Sequence, residues 1–165
     1  MNRDCRPLGK PVAFWQQMYG YDDAVREPTP EEARTHTWLT IVTGGRLIYW
    51  FIYKPMARSL WESMPKIANE VRKLQSLLTA DDAFELAVGR EGSVHYSVWR
   101  TGGKDVLLLV NASYTPTNVP IFARWLTGRE VKIARHLVGD EGVSVRDGLV
   151  WAQMQPLSAG AFLLE

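Results

Sequence analysis

The chain has 165 residues, a net charge of +1, seven tryptophans and one cysteine. Near-neutral charge gives no push toward nucleic acid or an anionic membrane surface, and a lone cysteine, Cys5, excludes an internal disulfide and leaves the compartment open. Residues 1–10 are polar, without the apolar core of a signal peptide, and no apolar run is long enough to span a bilayer.

Pro11–Tyr19 (PVAFWQQMY) is an apolar, aromatic run of strand length, broken by Gly20. After a polar loop, Thr29-Pro30-Glu31-Glu32 reads as a helix start, with Thr29 as N-cap, proline at the first position and acids in the first turn. That helix is predicted to run to about Thr43 and to be closed by Gly44 and Gly45. Leu47–Tyr53 is apolar on both faces, the pattern of a strand covered on both sides as in parallel sheets. From Arg58 to Leu78 the spacing of Leu60, Met64, Ile67, Val71, Leu74 and Leu78 makes one helical stripe, with Arg58, Glu62, Lys66, Glu70 and Lys73 on the other side. Strand, helix, strand, helix is the order of two successive β/α units.

The texture changes at Thr79-Ala80-Asp81-Asp82, which reads as a boundary between a first unit, 1–80, and a second, 81–165. Beyond it come short β-type runs: FELAVG, VHYSVWR, DVLLLVNAS, NVPIFAR, EVKIARHL, VSVRD, LVWAQM and AFLLE. Thr101-Gly102-Gly103-Lys104 and Asp147-Gly148 join neighbours as hairpins would. The fold class expected from the residues is α/β, two β/α units of a parallel sheet, followed by an all-β antiparallel sandwich. Along the run DVLLLVNAS, Leu107 and Leu109 should face one way and Val106, Leu108 and Val110 the other.

GKPVAFWQQMYGY, PTPEEARTHTWLTIVTGGRLIYWFIY and LWESMPKIANEVRKLQSLL together resemble the last two β/α units of a glycoside-hydrolase-type (β/α)8 barrel, and the remainder resembles the small β domain that often follows such barrels. The resemblance covers nearly the whole chain; it implies that the α/β part is a partial barrel of two β/α units, and a carbohydrate-active ancestry. A complete barrel takes about 250 residues and eight strands, so the chain departs from it in length. The resemblance implies one catalytic carboxylate at the end of a fourth strand, which the chain lacks, and another at the end of a seventh. Pro11–Tyr19 would be that seventh strand, and it carries Gln16 and Gln17. An amide is neither nucleophile nor base at neutral pH, so no catalytic residue is assigned.

Gln17, Tyr19, Tyr21, Asp22, Trp50 and Tyr53 are the candidate substrate-binding residues, because aromatic faces beside an amide and an acid suit sugar C–H faces and hydroxyls. The competing reading is barrel-core packing for the aromatics and plain loop solvation for Asp22 and Asp23. On the sandwich, Tyr96, Trp99, Trp125 and Trp151 are an alternative sugar-binding set. His36, His95 and His136 are too dispersed for a metal site, no Gly-rich phosphate loop follows a strand, and no cofactor is expected. Arg124, Arg129, Lys132 and Arg135 read as a solvated basic face. The partners expected are a carbohydrate and either a second copy of the chain, paired through the open strands of residues 11–56, or a missing N-terminal barrel portion.

Overall fold

The structure is a computed structural model that describes residues 11–20, 25–51, 57–140 and 142–165. It is an α/β partial barrel of two β/α units followed by an antiparallel β-sandwich. The first unit is β1 (Val12–Gln17), α1 (Pro30–Val42), β2 (Gly45–Phe51) and α2 (Arg58–Leu78), with β1 and β2 parallel.

Local chemistry explains the ends of these elements. Thr29 closes a capping box: its hydroxyl accepts from the Glu32 amide at 3.2 Å, and the Glu32 carboxylate accepts from the Thr29 amide at 2.8 Å. At the other end the two glycines do different work. Gly44 takes the positive φ of 93° that ends α1, whereas Gly45 is already the first residue of β2. A Cβ on Gly45 would stand 2.5 Å from the Thr40 methyl, so its small size lets β2 leave directly beneath the helix. β1 ends before Met18 and Tyr19, short of the expected run, while β2 begins two residues earlier than expected, at Gly45, and Tyr53 lies outside the described residues. On α2 the predicted stripe is buried at Leu60, Ile67 and Leu74. Glu70 departs from the expected solvent side. Its carboxylate accepts from Arg34 Nε and from the Trp38 indole N–H, each at 2.8 Å, because two donors on the facing helix need an acceptor there.

The sandwich pairs two antiparallel sheets. The larger is ordered β3 (Phe84–Glu91), β4 (Val94–Thr101), β5 (Lys104–Asn111), β10 (Ala159–Leu164) and β7 (Ala134–Gly139). The smaller is ordered β6 (Thr117–Ile121), β9 (Leu149–Met154) and β8 (Val143–Arg146). Both expected hairpins form, with positive φ at Gly102 and Gly103 and at Asp147 and Gly148, the conformation that two-residue hairpin turns require. The run NVPIFAR is only partly a strand: it leaves the sheet after Ile121 and turns into the short helix α3 (Ala123–Thr127). Buried Asn111 ties the loops at one end, its amide donating to the carbonyls of Thr115 and Gln155 at 2.9 Å each.

Period two in β5 decides how the parts stack. Leu107 and Leu109 enter the core between the two sheets with Val98, Val150 and Phe162. Val106, Leu108 and Val110 face the opposite way, into a core with Trp38, Ile41, Val42 and Leu74 of the helices. A further core of Met18, Ala33, Leu60 and Ile67, with Trp50 packed on it, joins the helices to the parallel strands. The helices therefore lie between the parallel pair and the larger sheet, and α1 is buried on more than one side. Polar clamps lock α1 in place. Arg34 donates to Asp140 at 2.7 Å and to the Ala159 carbonyl at 3.1 Å, and the Thr35 hydroxyl donates to the Leu157 carbonyl at 2.9 Å.

Candidate functional site

The parallel pair has one face on the helices and one open. Facing the helices, Gln16 is almost fully buried and bonded on both ends of its amide. Its Nε2 donates to the Ala33 carbonyl at 2.7 Å, and its Oε1 accepts from the Thr37 hydroxyl at 2.8 Å. Trp50, its partner in the β1–β2 register, points the same way and donates from Nε1 to Thr37 Oγ1 at 3.4 Å. The odd-numbered residues turn outward. Trp15 lies opposite Tyr49 and Gln17 opposite Phe51. The Trp15 and Tyr49 rings stack with centroids 5.2 Å apart, and Phe51 meets Trp15 edge-on at 6.0 Å. Trp15 is 65% exposed, and Tyr49, Phe51 and Leu47 are exposed beside it.

Of the six residues expected to bind substrate, the structure brings Gln17 and Tyr19 to one end of this face. Gln17 Nε2 donates to the Tyr19 carbonyl at 2.9 Å, and the buried Tyr19 ring meets Phe51 edge-on at 5.3 Å. Trp50 is not with them: it packs into the helix layer, as the competing core reading holds. Tyr21, Asp22 and Tyr53 lie outside the described residues. Trp15, Tyr49 and Phe51 were missed because clustering by sequence position ignores parity. Counting in twos back from Gln17 and across to a parallel neighbour finds all three.

The helix-facing side of β1 opens on a cleft of about 900 Å3. Phe14, Val25 and Leu39 line it, with Glu32, His95 and Tyr114 at its polar margin. Arg26 grips the Glu32 carboxylate through both terminal nitrogens, at 2.6 and 2.5 Å, and the Tyr114 hydroxyl donates to the same carboxylate. The hydrogen bonds from Arg26 outweigh the cost of burial and hold the Glu32 carboxyl down to about 2. That group is an anion with every lone pair engaged, which suits it to a structural clamp and not to proton transfer. Burial, with Arg90 nearby, lowers the His95 pKa. No group of three or more potential metal ligands converges among the described residues.

On the sandwich, the alternative aromatic set divides. Trp99 is buried beneath the helices with the Arg46 guanidinium 4.2 Å from its ring centroid, and Tyr96 packs over Gly89 against the inter-sheet core. Trp125 is exposed.

No family model matches the chain, and no curated protein matches it in sequence. Solved structures do match in shape. A GH30 endoxylanase from Clostridium papyrosolvens aligns over 98% of this chain and 44% of its own, with a TM-score of 0.60 at 15% identity. An Anoxybacillus α-amylase aligns over 93% and 38%, at 0.60 and 10% identity. A GH27 β-L-arabinopyranosidase from Geobacillus stearothermophilus aligns over 91% and 36%, at 0.56 and 15% identity. The fold is one found in glycoside hydrolases. This chain spans less than half the length of each of these proteins. The likeness at such identities is one of architecture, and it takes in the parallel pair, the helices and the sandwich together.

Proposed function

We propose that the open face of β1 and β2 is one wall of a carbohydrate site, in a glycoside-hydrolase-like protein of which this chain is the C-terminal part, and that the chain alone does not catalyse. The observation that carries this reading is the outward aromatic layer of Trp15, Tyr49 and Phe51 with the Gln17 amide in register beside it. Rings of this kind take the C–H face of a sugar, and an amide supplies both a donor and an acceptor for hydroxyls. The fold likeness favours a sugar as the ligand, by analogy. Glycoside hydrolysis uses two carboxyl groups, roughly 5–10 Å apart, across the bond. The described residues of this face, Ala13, Trp15, Gln17, Leu47, Tyr49 and Phe51, supply none, and Gln16 points into the helices.

Tryptophan fluorescence and calorimetric titration with xylo-, malto- and galacto-oligosaccharides test the wall. At least one series binds, and Trp15→Ala removes the binding while the circular dichroism spectrum is kept. Binding that survives both Trp15→Ala and Tyr49→Ala contradicts the assignment. Aryl glycosides are not hydrolysed above background by the purified chain. Turnover abolished by replacing Asp22 or Asp23 would make those acids catalytic and overturn the second half of the proposal.

A second reading, assembly through the open sheet, draws on a separate observation. Among the described residues β1 pairs only with β2, and a two-stranded parallel sheet is not a self-sufficient unit. Under this reading the free edge and its adjoining cleft receive another strand, from a second copy or from a barrel portion.

A further inference from the structure

The outer face of the three-stranded sheet carries another aromatic surface, far in sequence from β1 and β2. Val119 and Ile121 of β6, Val150, Ala152 and Met154 of β9, and Val143 and Val145 of β8 all pack on the inter-sheet core. Period two therefore turns the residues between them outward. The register sets these in rows: Asn118 opposite Gln153, Pro120 and Ser144 on either side of Trp151, and Arg146 opposite Leu149. The alternation continues past β6 to Phe122, which is exposed between buried Ile121 and Ala123. Its ring meets Trp125 with centroids 5.5 Å apart and planes tilted by 34°, and Trp125 is 84% exposed. The Ser144 hydroxyl, in the row of Trp151, is the one buried side-chain polar atom without a hydrogen-bond partner among the described residues.

The composition of this face selects its occupant. Here the amides of Asn118 and Gln153 stand one row from Trp151, and Arg146 stands one row away on the other side. A sugar ring has one C–H face to lay on an indole and a rim of hydroxyls that amides and guanidinium can reach. No carboxylate stands in the described rows. We propose that Trp151, Phe122 and Trp125, with Asn118, Gln153 and Arg146, bind an oligosaccharide chain as a second site, independent of the β1–β2 wall. Such a surface holds a polymeric substrate against the protein away from any reacting bond.

Native electrophoresis of the full chain through gels containing soluble xylan, starch or galactomannan tests this. At least one polymer retards the chain. The retardation persists in Trp15→Ala, which strips the other wall, and falls by roughly tenfold in apparent affinity when Trp125→Ala is added. Gln153→Ala, exposed and remote from the cores, weakens it in the same background. Circular dichroism and thermal melting confirm that each variant is folded. The proposal is overturned by no retardation with any of the polymers, by retardation lost with Trp15→Ala alone, or by retardation indifferent to both Trp125→Ala and Gln153→Ala. A mass that rises with concentration and falls to the monomer in Trp125→Ala, without retardation, would assign the face to a second copy and also overturn it.

Discussion

Glu32 occupies the third position of α1, yet it serves three parts of the molecule. It caps the helix through Thr29, holds Arg26 of the preceding loop, and takes the hydroxyl of Tyr114 from the sandwich. Charge-assisted hydrogen bonds to a buried group contribute roughly 1.5–3 kcal/mol, discounted here because Arg26 is largely exposed. Glu32→Gln should therefore cost about 1–2 kcal/mol at pH 7 by urea unfolding. The sign with pH follows from the depressed pKa of about 2 against the usual 4.5. The contribution is whole above about 4.5 and is lost as pH falls toward 2, so the gap between wild type and variant should close over that interval. A gap that stays constant down to pH 2.5 would show that the clamp does not depend on ionisation. Gln16 makes the complementary point. It stands on the strand where the resemblance implies a carboxylate, and its buried bonds to Ala33 and Thr37 make it part of the strand–helix joint.

At the scale of elements, β5 joins two cores, and its alternation lets each be tested alone. Leu109→Ala opens the core between the sheets, and Leu108→Ala opens the core beneath the helices. Each should cost about 2–5 kcal/mol. Their consequences differ, because only Leu108 packs on Trp38 and Leu74. Amide hydrogen exchange should accelerate across α1 and α2 in Leu108→Ala and remain near wild type there in Leu109→Ala, when both are measured under conditions of equal global stability. Equal acceleration in both would mean that helices and sandwich unfold as one unit. The elements also mark the limits of reading from sequence. Capping, hairpin glycines and the α2 stripe were legible because each depends on neighbours within a few residues. The departure of NVPIFAR from the sheet after Ile121 was not, since its apolar residues suit a strand and a short helix equally.

At the scale of the molecule, the proposed association through the open sheet has two geometries that can be told apart. A two-fold axis normal to the sheet would pair the free edges of two β1 strands and leave both aromatic faces open. A face-to-face contact would instead bury Trp15, Tyr49 and Phe51 and compete with sugar. Sedimentation velocity should show self-association with rising concentration, since exposed aromatic rings lie on strands that pair, among the described residues, only with each other. Oligosaccharide that leaves the mass unchanged selects the edge-on geometry, and oligosaccharide that dissociates the species selects the face-to-face one. A monomer at all concentrations, with no binding of an apolar dye, would remove assembly through this surface.

What the sequence determined by itself was whatever the chain settles locally: two β/α units, a change of texture near residue 80, hairpin turns at Gly102-Gly103 and Asp147-Gly148, and the opposed faces of Leu108 and Leu109. Tertiary structure alone decided where those faces lead. It put the helices between the parallel pair and the larger sheet, turned Trp50 inward and Tyr49 outward, and spent Glu70 on Arg34 and Trp38. The physical reason is that periodicity specifies which side chains share a face, while the partner a face meets is set by contacts between segments far apart in the chain. An aromatic residue at a strand end has the same local signature whether it packs in a core or lies open to a ligand.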